Sequence, residues 1–270
     1  MDFSSRTALL VVAVAALAVL AGCTGGNGPG TATPANNSTD SGESIDPVEE
    51  LNASYLNDNT EAAVQDGGSY TSETAYYLYL NSSRGESESW TNSSQQVDFD
   101  ADQGVRETSQ RILGDQPRVI SQSVYTTGDT TYQRLNNSLG VSYDVQTGAN
   151  GTVRPVNTSS FTQNYTFLTD SFAYEADGTA TVGDTTTVRY SSTNLTDESY
   201  FVGSENSTVS DASSTLYVDA DGVVREATIS YTITSNGATS TTEVTFSLSD
   251  IGSTSVDEPG WVAEAQNSTS

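Results

Sequence analysis

The sequence predicts a mainly β domain of α+β class, an antiparallel sheet with one buried face and two helical segments. Three observations predict it. Most of the chain after Ile45 alternates apolar and polar residues with period two. Clusters of Asp, Gly, Asn and Ser punctuate that alternation at short intervals. Helical spacing shows only at the start of the domain and once in mid-chain.

In chain order, the helical opening comes first. Asp46-Pro47 offers an N-cap and a proline at the first helical position, Glu49 and Glu50 fall in the first turn, and Asp66-Gly67-Gly68 ends the segment. Val48, Leu51, Tyr55, Ala62 and Ala63 supply its apolar side. A Tyr-rich strand follows over 69–80, then strands over 86–100 and 105–113, joined by a turn at Asp100–Gly104. Further strands cover 118–126, 131–135 (after the Gly128-Asp129 turn) and 141–146. Thr158–Leu168 reads as the mid-chain helix, with Phe161, Tyr165 and Leu168 on one face. Strands resume at 173–182, 185–191, 213–218, 223–234 and 239–248. In the last two, Ile229, Tyr231 and Ile233 point one way, as do Val244, Phe246 and Leu248, with Ser and Thr opposite. Trp261 lies in a closing segment. No second linker interrupts 46–265, so these roughly 220 residues make one domain with one sizeable core, and 266–270 form a tail.

Ahead of that domain, residues 1–22 read as a signal peptide: Arg6, then an apolar run from Ala8 to Leu20 of about thirteen residues, too short to span a bilayer comfortably. The run ends in Leu20-Ala21-Gly22-Cys23, which resembles the lipobox of prokaryotic lipoproteins. By that resemblance Cys23 is the lipidated first residue of the mature chain. Residues 23–45 are almost free of apolar side chains, so a disordered linker is expected there. The chain has 9 basic residues, all Arg, against 35 acidic ones, a net charge of -26. An acidic excess without Lys fits a surface adapted to high salt, where the screening length shrinks to about 3 Å; a merely acidic secreted protein is the alternative. Asn-x-Ser/Thr sequons at Asn37, Asn52, Asn81, Asn92, Asn157, Asn194 and Asn206 are candidate glycosylation sites.

Composition also excludes. With no His and one Cys, the chain builds no His-based triad, no ordinary zinc or copper site and no internal disulfide. Its charge repels nucleic acid. The Asp98-Asp100-Asp102 alternation lacks the Gly and Glu an EF-hand needs, having Gln103 and Ser109 there, and a hairpin turn explains it better. Asp219 and Asp221 read the same way. The run Phe99–Glu107 is echoed at Val218–Glu226, either as equivalent hairpins in two halves of a sheet or as two similar Asp/Gly turns. No catalytic residue, metal or cofactor is assigned, and the chain is expected not to be an enzyme. A carboxylate-based hydrolase would need two facing acids, and no pair stands out.

Tyr76, Leu78, Leu80, Val124, Tyr132, Ile229, Tyr231, Ile233, Phe246 and Leu248 are candidates for the buried face, as filled core or as the lining of an apolar cavity with a Tyr-hydroxyl rim. The order of lipobox, N-terminal helix, Tyr-rich strand, long meander, mid-chain helix and late Asp-Gly hairpin resembles the half-barrel lipoprotein carriers and the mycobacterial lipid-binding lipoproteins. More closely it resembles haloarchaeal surface lipoproteins of that shape. The resemblance, over about 46–262, implies an antiparallel half-barrel whose helices cover the concave face. It implies a lipid-anchored protein on the extracellular face of the cell membrane that binds a lipid or other apolar ligand. Shuttling between two membranes does not carry over to a cell without an outer membrane. A structural or interaction module of the envelope is the second expectation.

Overall fold

The computed structural model describes residues 45–48, 51–114, 116–148, 159–202 and 206–268. The signal peptide, Cys23, nearly all of the linker, Asn37 and Asn157 lie outside the described residues. The domain is mainly β. Among the described residues, eleven antiparallel strands form one open sheet, an open half-barrel accompanied by three helices.

Helix α1 spans Ala53–Gly67. It starts later than the sequence suggested. Asn52 is its N-cap, with Oδ1 accepting from the Tyr55 N–H at 3.0 Å, while residues 45–48 are irregular. Gly68 closes it at φ 73°, a left-handed geometry that glycine adopts without penalty. The first half of the sheet is β1 (Ser69–Ser82), β2 (Gly85–Asp98), β3 (Gln103–Leu113), β4 (Arg118–Thr127), β5 (Thr130–Asn137) and β6 (Gly140–Thr147). Helix α2 (Ser159–Ser171) follows, and the chain resumes at the opposite edge as β7 (Glu175–Val182). It then returns through β8 (Thr185–Ser192), β9 (Ser207–Asp219), β10 (Val224–Ser235) and β11 (Ala238–Ser249). Helix α3 (Val262–Ser268) ends the described chain, where the sequence suggested only a closing segment.

The spatial order is β6-β5-β4-β3-β2-β1-β11-β10-β9-β8-β7, so the first and last strands pair at the centre, from Thr71 opposite Ser249 to Asn81 opposite Thr239. No register shift occurs from β10 through β6, so direct partners share a face across eight strands.

Helices α1 and α2 lie on one face. Leu56 of α1 and Tyr165 and Leu168 of α2 pack with Val188, Tyr190, Leu216, Val218, Ala227 and Ile229 of β8 to β10. A second cluster joins Val64 of α1 to Tyr70, Val97 and Leu248. Each such side chain removed from water contributes roughly 1.5–3 kcal/mol. The third cluster is on the other face, where Val262 of α3 and Val256 cover Tyr125, Tyr132 and Val105. Tyr143 hydrogen-bonds Glu264 and so ties α3 to β6.

The two echoed runs both form hairpin turns at the α1 end of the sheet. The turns are set one residue apart in the repeat: Asp102 N–H donates to the Phe99 carbonyl, and Gly222 N–H to the Asp219 carbonyl. Both hairpins nonetheless lie on the second and third strands out from the central seam, one in each half of the sheet.

Candidate functional site

The strand register places the residues that the sequence singled out. Tyr76, Leu78 and Leu80 on β1 share the helix-covered face with Ile229, Tyr231 and Ile233 on β10 and with Phe246 and Leu248 on β11. Val124 joins them through the partners Gln95 and Arg106. Tyr132 does not. It pairs directly with Tyr125, next to Val124 in sequence, and both tyrosines point to the opposite face beneath α3. Period two decides which residues of one strand share a face; it does not phase one strand against the next.

The nine that share the face divide by packing. Leu248, Val124 and Ile229 are buried, exposed by 2%, 3% and 8%, and Phe246, Tyr231 and Ile233 pack against the clusters that hold Leu248 and Ile229. Tyr76, Leu78 and Leu80 are half-buried and lie outside the three clusters. Val244, opposite Tyr76, and Ile112, in the same row as Leu78, extend this apolar strip on either side of β1. Burial, with Tyr231 close by, pushes the Tyr76 hydroxyl up to about 12. Burial also raises Tyr174, whose hydroxyl donates to Ser214 Oγ at 2.7 Å.

A trough of about 920 Å³ lies on the face away from α1 and α2. Sequence reading passed over it, because a Ser/Thr face reads as a plain solvent face. Two adjacent rows make its floor. One runs Glu226, Ser247, Glu73, Ser94, Glu107, Ser123 and Arg134, from β10 to β5. The other runs Thr228, Thr245, Ala75, Asn92, Ser109 and Ser121. Seven neighbouring strands about 4.8 Å apart line one hollow only if the sheet bends toward it. A twisted sheet is saddle-shaped, so hollows on both faces are compatible. Thr245 Oγ1 and Arg134 Nε are buried in this region without a hydrogen-bond partner. Burial raises the Glu226 carboxyl above its ordinary value. The next row toward the strand ends holds Tyr77 and Trp90, ring centres 5.4 Å apart, with the Arg111 guanidinium 5.9 Å from the Trp90 ring centre.

Asp219 belongs to its turn. Its Oδ1 accepts from the backbone N–H groups of Asp221 and Val223, and its Oδ2 pairs with Arg225 at 2.7 Å. Among the described residues, no group of three carboxylates or thiols is placed to hold a metal ion. Of the sequons, Asn52 is spent as a helix cap, Asn92 faces the trough, and Asn81, Asn194 and Asn206 are exposed.

Fold and faces define a class: an open antiparallel half-barrel with α1 and α2 on one side and, on the other, a polar trough and α3. Within it, the chain belongs to a family of unknown function, DUF7537, whose pattern matches residues 8–265. No curated protein matches. Among solved structures, LppX of Mycobacterium tuberculosis, a lipoprotein, is similar at 11% identity and a TM-score of 0.38, over 76% of this chain and 96% of that one. LprF of Mycobacterium bovis is similar at 12% identity and a TM-score of 0.34, over 77% and 95%. A β-barrel-like protein of unknown function from Brucella abortus follows at 9% and 0.24, over 67% and 97%. Among the described residues no helix is long and apolar enough to cross a membrane.

Proposed function

We propose that this protein is a lipid-anchored protein on the extracellular face of the cell membrane, and that it acts by binding a lipid or other apolar ligand rather than by catalysis. The observation that carries the binding is the strip of Tyr76, Leu78 and Leu80, large apolar side chains left half-buried beyond the packed clusters. An apolar molecule laid along β1 would remove that surface from water and leave the Tyr hydroxyls at its rim. The anchor reading rests on Cys23 and the apolar run before it, both inside the stretch matched by the family. A lipid on Cys23 would hold the domain beside a bilayer and so beside a supply of such molecules.

The test is native mass spectrometry with lipid extraction on a Cys23→Ser full chain purified from a halophilic host. A stoichiometric lipid or isoprenoid that is lost in Leu78→Asp and Leu80→Asp variants is the expected result. A cooperative thermal melt in both variants, whose changes fall at half-buried positions, shows that the domain is still folded. A ligand-free mass, or a lipid kept by both variants, overturns the reading. The tight packing of Ile229 and Leu248 favours a second reading for the lower part of that face: filled core in an envelope scaffold that has no ligand.

A further inference from the structure

We propose that the trough opposite α1 and α2 binds a neutral, polyhydroxylated ligand, an oligosaccharide. The floor is a comb of hydrogen-bonding groups. Carboxylates at Glu226, Glu73 and Glu107 alternate with the hydroxyls of Ser247 and Ser94 on successive strands. Carboxylates only accept, whereas hydroxyls both donate and accept. Steps of about 4.8 Å between strands give such a comb the spacing of successive groups along a sugar chain.

Charge narrows the choice. Three carboxylates against the single guanidinium of Arg134 repel an anion. Successive carboxylates stand two strands apart, about 10 Å, too far to share one cation. A neutral ligand rich in hydroxyls remains. It would supply donors to a Glu226 carboxylate that burial disfavours and a partner for Thr245 Oγ1 and Arg134 Nε, both buried without one. The Tyr77–Trp90 pair borders the polar rows and offers the flat apolar surface on which the C–H face of a sugar ring lies. The volume of about 920 Å³ is at the large end of ordinary small-molecule sites. This site stands independently of the apolar strip, which is on the other face.

The sugar has two conceivable sources, a free or envelope-bound glycan and a glycan carried on Asn92 itself. Both are tested on the full chain in a polyoxyethylene detergent at molar KCl. Peptide mass spectrometry reads Asn92 occupancy, and calorimetric titration with maltoheptaose and chitohexaose reads binding by the wild type and by Asn92→Gln. The expected result is binding of a neutral probe, by the wild type if Asn92 is bare and by Asn92→Gln if it is glycosylated. Ala75→Trp, which fills the floor, should weaken binding more than tenfold. Thr245→Val should weaken it about three- to tenfold, the worth of one hydrogen bond. Because that hydroxyl has no partner in the protein, Thr245→Val leaves the melting temperature unchanged or raises it, so a loss of binding is not a loss of fold. Absence of neutral-probe binding to both proteins, undiminished binding by Thr245→Val, or equally tight binding of a sulfated oligosaccharide overturns the proposal.

Discussion

Replacement of Asp219 by Ala should be among the most damaging single changes outside the hydrophobic core. Its carboxylate closes the β9–β10 turn through two backbone N–H groups at 3.0 and 2.9 Å and holds Arg225 at 2.7 Å. The two side chains are exposed by 5% and 18%, so removing one leaves the other largely shielded from water. Breaking such a pair costs about 3–5 kcal/mol. Arg225 can regain some water, which puts the expected loss near the lower end, about 3 kcal/mol. For a domain of this size that is a fall of about 6–12 °C in melting temperature. Asp219→Asn keeps an acceptor for the turn and loses the charge, for about 1–2 kcal/mol. Asp100, at the matching place in the echo, is exposed, and Asp100→Ala should stay within about 0.5 kcal/mol of wild type. Urea unfolding followed by circular dichroism at fixed molar KCl measures all three. A buried pair is poorly screened, so the differences should persist when KCl is lowered. A loss under about 1 kcal/mol for Asp219→Ala would refute the reasoning. Equal losses for Asn and Ala would refute its division into charge and backbone bonds.

Three further outcomes are expected. Gly222 sits at φ 82°, and a Cβ there would come within 2.7 Å of Tyr55 and Asn59 on α1, so Gly222→Ala should cost more than about 2 kcal/mol in the same unfolding assay. Tyr76 is pushed up to about 12, and burial raises Tyr70, Tyr165 and Tyr174 further still. An acid with a raised folded pKa stabilises fully below its unfolded value near 10 and loses that contribution as pH climbs through the folded value. Part of the tyrosinate absorbance should therefore rise in a late step coincident with loss of fold; titration of all 14 tyrosines in a single step near the ordinary value would contradict this. Glu226 is raised by burial, so Glu226→Gln should stabilise at neutral pH, with the gain vanishing in acid as the wild-type carboxyl protonates; a gain that is unchanged in acid would contradict the burial argument.

Most strands were legible because alternation and turn residues are local signals. β10 and β11 follow the predicted runs within a residue or two. β9 was undercut: its first half, Ser207–Ala212, has only Val209 and Ala212 as apolar residues, three apart, and carries Asp211 at φ 53° beside a register shift, so period two shows only after it. The start of α1 was misplaced because Asp46-Pro47 is a stronger local cap signal than Asn52, and tertiary contacts decided otherwise: the Val48 N–H is held by the Tyr190 hydroxyl at 2.7 Å. α3 was missed because seven residues with two buried side chains carry too little periodicity. The trough is a property of how seven strands bend, and Glu, Ser and Thr spaced along separate strands give no local sign that they will meet.

The pairing of β1 with β11 has a consequence for how the molecule comes into being. Its central seam joins residues made near the beginning of the domain to residues made almost at its end, so it forms only once nearly the whole chain is present. Contacts of such long sequence separation close slowly. A chain of this topology leaves the ribosome as two meanders that are not yet joined. It becomes a single cooperative sheet only when its last strand pairs with its first.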